Sequence, residues 1–238
     1  MGIGKRGQGS ANTVWLDLKG KDASLVAWNK AEQREEEFSY VFGRLQDVRV
    51  KERNYGDQVG YVVNVTLRDP DSGERYIISS AASTRLTCRL LRQLNNADLG
   101  QILYLAPYML KEGDELSDGS VVKQDSAVTS LKYVMGTDGD RLKLSDGIRP
   151  YYNETYGDQM PAGDPILRAD GSPLIQNGME VKDYTKRETL TAELVQALSA
   201  KLRSPSDAHG HAEHGDVDPE SVAEAAQAAD RSAMRARG

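Results

Sequence analysis

The feature that most constrains this chain is the stretch 60–68 (GYVVNVTLR), in which the side chains alternate in character. One face of an extended chain here would carry Tyr61, Val63, Val65 and Leu67. The other face would carry Asn64, Thr66 and Arg68. A period of two indicates a β-strand with one side on a core and one side toward solvent. The chain therefore requires a sheet with one buried face and one polar face.

The segment before it, Ser39–Lys51, also alternates, but its phase changes between Leu45 and Val48. A phase change within a strand predicts a β-bulge, and Gly43 is the natural position for strong curvature. Residues 54–58 (NYGDQ) are predicted to form the loop to the next strand.

A helix follows the third strand of this region. In 83–94 (STRLTCRLLRQL), leucines recur every four residues, and Ser83 is placed to cap the helix. Arg85, Arg89 and Arg92 fall together on the opposite side, and a solvated face is preferred there over a phosphate-binding track. The predicted strands around the helix are 39–51, 60–68, 75–79, 101–108 and 128–134.

Three strands, a helix and two strands are the order of an OB-type five-stranded Greek-key barrel. The predicted fold class is therefore mainly β with helices, with an N-terminal hairpin before the barrel and a C-terminal helix after it. Another small antiparallel β fold with one helix is the alternative. The predicted organisation is a flexible arm (1–12), hairpin and barrel (13–144), an extended excursion and amphipathic helix (145–203), and a flexible acidic, alanine-rich tail (204–238).

Two details lie outside the barrel. Residues 32–37 are predicted to be a charged connector after the hairpin strands 13–18 and 24–28. In 185–202, Thr185 and Glu188 match a capping box, and an apolar stripe runs from Leu190 to Leu202.

Several classes of protein are disfavoured. No apolar run is long enough for a membrane span, and the first residues lack the apolar core of a secretory signal. A single cysteine, Cys88, is expected to be a semi-buried packing thiol, and a reducing cytoplasm is expected. No nucleotide-loop, serine-elbow or zinc-protease motif is present, so neither an enzyme nor a cofactor is predicted. His209, His211 and His214 are interpreted as polar linker rather than metal ligands.

Charge and aromatic content favour binding instead. The net charge is −6, but residues 39–110 hold nine basic against seven acidic side chains. Single strands are held by rings that stack on bases and by cations that follow the phosphates. The residues predicted to neutralise phosphate are Arg44, Arg49, Lys51, Arg53 and Arg75. The residues predicted to stack are Tyr55, Tyr76 and Tyr104, while Tyr61 is preferred as core.

The stretch VFGRLQDVRVKERNYGDQVGYVVNVTLRDPDSGERYIIS, the helix STRLTCRLLRQL and the strand QILYLAPY together resemble OB-fold single-stranded-DNA-binding proteins of tailed bacteriophages. The resemblance covers about half the chain. It implies non-sequence-specific binding of single-stranded DNA in replication or recombination, in the host cytoplasm. It also implies contacts with replication or recombination proteins through the C-terminal region. Cellular relatives end in an acidic run closed by Pro-Phe, whereas this chain ends Arg-Ala-Arg-Gly.

The alternative to nucleic-acid binding is a protein–protein adaptor, in which the barrel and the helix at Leu190–Leu202 bury against a partner. An apolar, uncharged barrel face would favour that alternative. An enzymatic site assembled from Asp138, Asp140 and the histidines is the least favoured hypothesis.

Overall fold

The computed structural model describes residues 13–55, 58–116, 119–138, 141–151, 161–176 and 178–203. The predicted arm and tail lie outside these ranges. Within them the protein is mainly β with two helices. The large sheet contains β1 (Thr13–Lys19), β2 (Ser24–Asn29), β3 (Arg34–Phe38), β4 (Val41–Tyr55), β5 (Gln58–Arg68), β6 (Arg75–Ala81), β7 (Ile102–Leu110), β8 (Ser126–Asp138) and β9 (Arg141–Leu144). The remaining elements are α1 (Arg85–Asn95), the two-residue strands β10 (Asp164–Pro165), β11 (Ile175–Gln176), β12 (Met179–Glu180) and β13 (Lys182–Asp183), and α2 (Thr185–Arg203).

Nine strands form one mixed sheet in the order β3-β2-β1-β6-β5-β4-β7-β8-β9. Neighbouring strands run antiparallel except β1 and β6, which run parallel. The predicted bulge is confirmed, because the register of β4 and β5 shifts between Leu45 and Asp47. Strand β4 pairs with β7 over Val41–Arg44 and with β5 over Arg44–Tyr55, so its pairing partner changes near Gly43.

The sheet is not closed among the described residues, so the predicted barrel is not confirmed. Closure of the run β6-β5-β4-β7-β8 would require its two end strands, β6 and β8, to pair. Strand β1 occupies that edge of β6 instead, with Thr13 opposite Arg75 and Asp17 opposite Ser79. Pairing between distant strands leaves no local mark on the sequence, and the hairpin was therefore predicted only as a leader to the barrel.

Two predicted connections are corrected. The charged segment 32–37 contributes to a strand, β3, whose Phe38 lies opposite Leu25. Charged residues suit an edge strand because they disfavour pairing with another sheet. The predicted loop 54–58 is mostly strand, since β4 extends to Tyr55 and β5 begins at Gln58.

One face of the sheet carries the core, and both helices cover it. Leu16, Val65 and Ile78 of the sheet share this core with Leu90 of α1 and Leu194 of α2. The apolar stripe of α2 is therefore buried within the chain. The adaptor hypothesis, which offered that stripe to a partner, is wrong on this point, and α2 belongs to the same core as the sheet.

Polar contacts join α2 to α1 and to Ala82, which precedes α1. The Thr191 hydroxyl donates to the carbonyl oxygen of Ala82 at 2.8 Å, and its oxygen lies 3.1 Å from Cys88 Sγ. Asn95 Nδ2 donates to the Leu194 carbonyl at 3.0 Å. Cys88 is fully buried, and burial raises the pKa of its thiol. The interpretation of Cys88 as a packing residue agrees with this position.

Helix α1 differs from its prediction in two respects. Its N-cap is Thr84, one residue later than predicted, and the Thr84 side chain accepts a hydrogen bond from the Thr87 amide. The predicted solvated arginine face is wrong for Arg92, which is 1% exposed. The segment after β9 covers that side, because the Tyr151 amide donates to the Arg92 carbonyl and Gln93 Nε2 donates to the Ile148 carbonyl.

Neither described helix has the length and apolar character needed to cross a membrane.

Candidate nucleic-acid interface

The bulge in β4 brings the predicted basic residues onto one face of the sheet. Arg44 lies opposite Arg68, whereas Arg49 lies opposite Asn64. Arg68 and Asn64 are an even number of residues apart, so they share a face of β5. Arg44 and Arg49 are an odd number apart and would point to opposite sides of a regular strand. The extra residue, Gln46, restores them to the same side, which is the side away from the core.

The bulge therefore aligns three arginines on three adjacent strands, and we call this set the arginine row. Arg44 of β4 lies opposite Arg68 of β5, and Arg68 lies opposite Arg75 of β6. All three are exposed. Like charges directly opposite one another destabilise a sheet, and neighbouring strands are only about 4.8 Å apart. An anion lying along the row would remove this repulsion.

The guanidinium groups of the row differ in their attachments. Arg44 Nη1 donates to the Gly100 carbonyl at 2.6 Å, which orients the guanidinium group beside the loop before β7. Across the described part of the chain, no hydrogen bond or ion pair holds the side chain of Arg68 or Arg75. These two side chains are therefore available to an anionic ligand.

The other predicted cations lie on the same face. Arg49 forms an ion pair with Asp47 at 2.6 Å, and Arg53 lies 3.8 Å from Asp17. Lys51 is exposed opposite Val62. The outward positions of β4, β5 and β6 thus hold six basic residues and one acidic residue over the described side chains; the basic ones are Arg44, Arg49, Lys51, Arg53, Arg68 and Arg75.

Two of the predicted stacking residues can be placed, and one is corrected. Tyr76 is fully buried between Val14 and Leu67, and its hydroxyl donates to Glu74 Oε2 at 2.7 Å. Tyr76 cannot offer its ring to a base, because the register of β6 places it on the core face. The prediction for Tyr76 is wrong.

Tyr104 faces outward and is partly exposed. Its ring stacks on that of Tyr40, with ring centres 5.1 Å apart and planes inclined by 28°. Partial burial, with Tyr40 beside it, raises the pKa of Tyr104, so the phenol is neutral at physiological pH. Tyr55 ends β4, but its side chain lies outside the described residues.

Sequence reasoning missed the tryptophans of the N-terminal hairpin. Trp15 of β1 is 55% exposed and Trp28 of β2 is 60% exposed. Trp15 lies opposite Ile77, which is the next outward position of β6 after Arg75. The available signal was the alternation of TVWLDL, in which Trp15 is out of phase with the buried Leu16 and Leu18.

The middle of the face is polar and nearly covered. Asn64, Thr66 and Ser79 are each less than a tenth exposed, although they point away from the core. Asn64 Oδ1 has no hydrogen-bond partner in the part of the chain that the structure describes. A buried acceptor without a donor is unfavourable.

An acidic strand limits the face on one side. Glu35 and Glu37 of β3 lie opposite Trp28 and Val26. Both carboxylates are exposed, and that of Glu35 accepts from Lys19 Nζ at 2.7 and 2.8 Å. Phosphate would be repelled beyond β2, so a nucleic acid on this face would end there.

Metal chemistry finds no support in the described residues, where no group of three His, Cys, Asp or Glu side chains is suitably placed for an ion. His209, His211, His214 and Asp140, on which the enzymatic alternative depends, lie outside the described residues.

Comparisons of the chain with protein-family models, curated proteins and solved structures gave no significant match. The interpretation of this face therefore depends on its own residues.

Proposed function

We propose that this protein is not an enzyme but binds single-stranded DNA without sequence preference, through the outward face of β4, β5 and β6. The observation that carries the proposal is the arginine row, in which Arg44, Arg68 and Arg75 lie side by side on adjacent strands. Three cations in register offer successive contacts to a phosphate backbone that crosses the strands.

The proposal concerns single strands because the face combines cations with exposed rings. Stacking requires bases with open faces, which a duplex does not offer. Tyr104 and Tyr40 lie at one end of the face, and the exposed Trp15 lies toward the other. Cations that contact phosphates fix the position of a strand but carry no sequence information, which suits binding without sequence preference.

We further propose that β4, β5, β6, α1, β7 and β8 are an opened OB-type barrel. The element order and the bulged first strand support this, and OB folds bind oligonucleotides on the corresponding second and third strands. The resemblance to phage single-stranded-DNA-binding proteins suggests a place in replication or recombination, in the host cytoplasm. It also suggests contacts with replication or recombination proteins through the C-terminal region.

The test is a fluorescence-anisotropy titration of a labelled oligo-dT at two salt concentrations. For single strands, log K falls with log salt at about 0.7 per phosphate contact. Between about 50 and 200 mM salt, three contacts predict a loss of about 20-fold and six contacts a loss of about 300-fold. Absence of binding at low salt would refute the proposal.

Matched variants locate the site. Replacing Arg68 and Arg75 together by glutamine removes two exposed cations without breaking any described hydrogen bond. Affinity should fall about 30-fold, since each of the two lost phosphate contacts is worth about 1 kcal/mol. Arg85→Gln is the control, because Arg85 is equally exposed but lies on α1, on the core side of the sheet. Equal affinity of the two variants would show that the DNA binds elsewhere.

The adaptor alternative predicted an apolar, uncharged face, and the outward positions of β4 to β6 are basic instead. The adaptor would be favoured if neither wild type nor the double arginine variant bound oligo-dT and both bound the same protein partner.

A further inference from the structure

We infer that strand β1 of the N-terminal hairpin is part of the binding face and that Trp15 is a base-stacking residue. This inference rests on the proposed function, because it names the part of the ligand that Trp15 contacts. The N-terminal hairpin here means β1 and β2, which continue the sheet beyond β6.

The first argument is position. Thr13 extends the arginine row onto β1, since it lies opposite Arg75. Trp15 is the next outward residue of β1, so it is a diagonal neighbour of Arg75. Two residues cover about 6.6 Å along a strand and neighbouring strands lie about 4.8 Å apart, so the two Cα atoms are about 8 Å apart, within reach of long side chains. The indole of Trp15 therefore lies near the guanidinium group of Arg75. A nucleotide bound there could stack its base on the indole while its phosphate contacts the guanidinium group.

The second argument is exposure. More than half of the Trp15 side chain lies in water, although the adjacent Leu16 is fully buried. Leaving an indole in water forgoes the free energy that its burial would supply. Tryptophan is enriched at binding interfaces, where a partner covers the ring. The outward neighbours of Trp15 on β1, Thr13 and Asp17, are also exposed.

The third argument is the symmetry of the face. Tyr104 is one outward position away from Ile102, which lies opposite Arg44 at the other end of the row. Each end of the arginine row therefore has an aromatic ring next to it, Trp15 on β1 and Tyr104 on β7. Four strand spacings separate these two strands, about 19 Å along the sheet. A single strand crossing the face would meet a ring, three cations and a second ring.

The acidic strand β3 fits this path. Trp28 is paired with Glu35, whereas Trp15 is paired with Ile77. Trp28 also lies on β2, one strand further from the arginine row than Trp15, so a base on Trp15 is favoured over a base on Trp28. The two tryptophans thus have different expected roles although they are similarly exposed.

The experiment uses the full chain, which contains two tryptophans. In Trp28→Phe, the fluorescence of Trp15 alone reports on its surroundings. Unlabelled oligo-dT should quench this emission with the same midpoint that anisotropy gives for the labelled oligonucleotide. In Trp15→Phe, where Trp28 is the reporter, the quenching should be much smaller.

Affinity supplies the second readout. Trp15→Ala should weaken oligo-dT binding by about 5- to 150-fold, the range for loss of one stacked base. Trp15→Phe, which keeps a ring, should recover most of the affinity, and Trp28→Ala should bind like wild type. Circular dichroism melting of each variant checks that the fold is kept.

Three results would overturn the inference. In the first, oligo-dT binds without quenching Trp15, and Trp15→Ala and Trp15→Phe both bind it like wild type. This result removes Trp15 from the site but leaves the proposed function standing. Absence of any binding by wild type overturns both. A change of oligomeric state in unliganded Trp15→Ala, with oligo-dT affinity unchanged, assigns the ring to a protein contact.

Discussion

The glycine at the bend of β4 gives a sharp test of the architecture. A Cβ atom on Gly43 would lie 2.7 Å from the carbonyl oxygen of Arg68 and 2.8 Å from its carbonyl carbon. Both atoms belong to the backbone of β5, so no side-chain rotation relieves the contact. Gly43→Ala therefore forces β4 away from β5 at the point where β4 changes partner.

The magnitude follows from the two terms involved. Overpacking costs about 1–3 kcal/mol, and a weakened ladder hydrogen bond adds about 1 kcal/mol. We expect the free energy of unfolding to fall by about 2–4 kcal/mol. For a chain of this size, each kcal/mol lowers Tm by about 2–4 °C, so a loss of about 5–15 °C is predicted.

The assay is thermal and urea denaturation followed by far-ultraviolet circular dichroism. Gly20→Ala is the matched control, since a Cβ there meets no atom within 4 Å. It should change stability by less than about 1 kcal/mol. If Gly43→Ala and Gly20→Ala have the same Tm, the close approach of β4 and β5 at Gly43 is wrong.

Two further predictions concern the helices. Cys88 is fully buried beneath α2, and burial raises the pKa of its thiol. The native protein should therefore not react with an aromatic disulfide reagent until denaturant is added. Prompt reaction of the native thiol would show that α2 does not pack there. Burial, with Asp183 nearby, raises the pKa of Glu188 above its unfolded value, so the folded state loses stability as pH rises through that raised pKa. Glu188→Gln should therefore raise Tm relative to wild type at pH 7 more than at about pH 4.5, and a gap that is the same at both pH values would contradict this assignment.

Local features of the fold were predictable from the sequence. The alternation at 60–68 became β5, and the phase change after Leu45 became the bulge. These features depend on residues close together in the chain. The parallel pairing of β1 with β6 joins residues about 60 positions apart, and no local pattern specifies it. That pairing occupies the edge of β6 that a closed barrel would need.

The candidate site was predictable where it depended on charge. Arg44, Arg49, Lys51 and Arg53 share the outward face because the bulge corrects their phase. Tyr76 was assigned to the wrong side, since a short strand such as RYIIS has apolar residues on both faces. Trp15 was missed because its place beside Arg75 exists only after β1 joins the sheet.

The central claim is that phosphates lie along the arginine row. The most direct measurement is the slope of log K against log salt for oligo-dT, compared between wild type and the variant with both Arg68 and Arg75 replaced by glutamine. Loss of two phosphate contacts should make the slope shallower by about 1.4, while Arg85→Gln keeps the wild-type slope. An identical slope for the wild type and the double variant would contradict the claim.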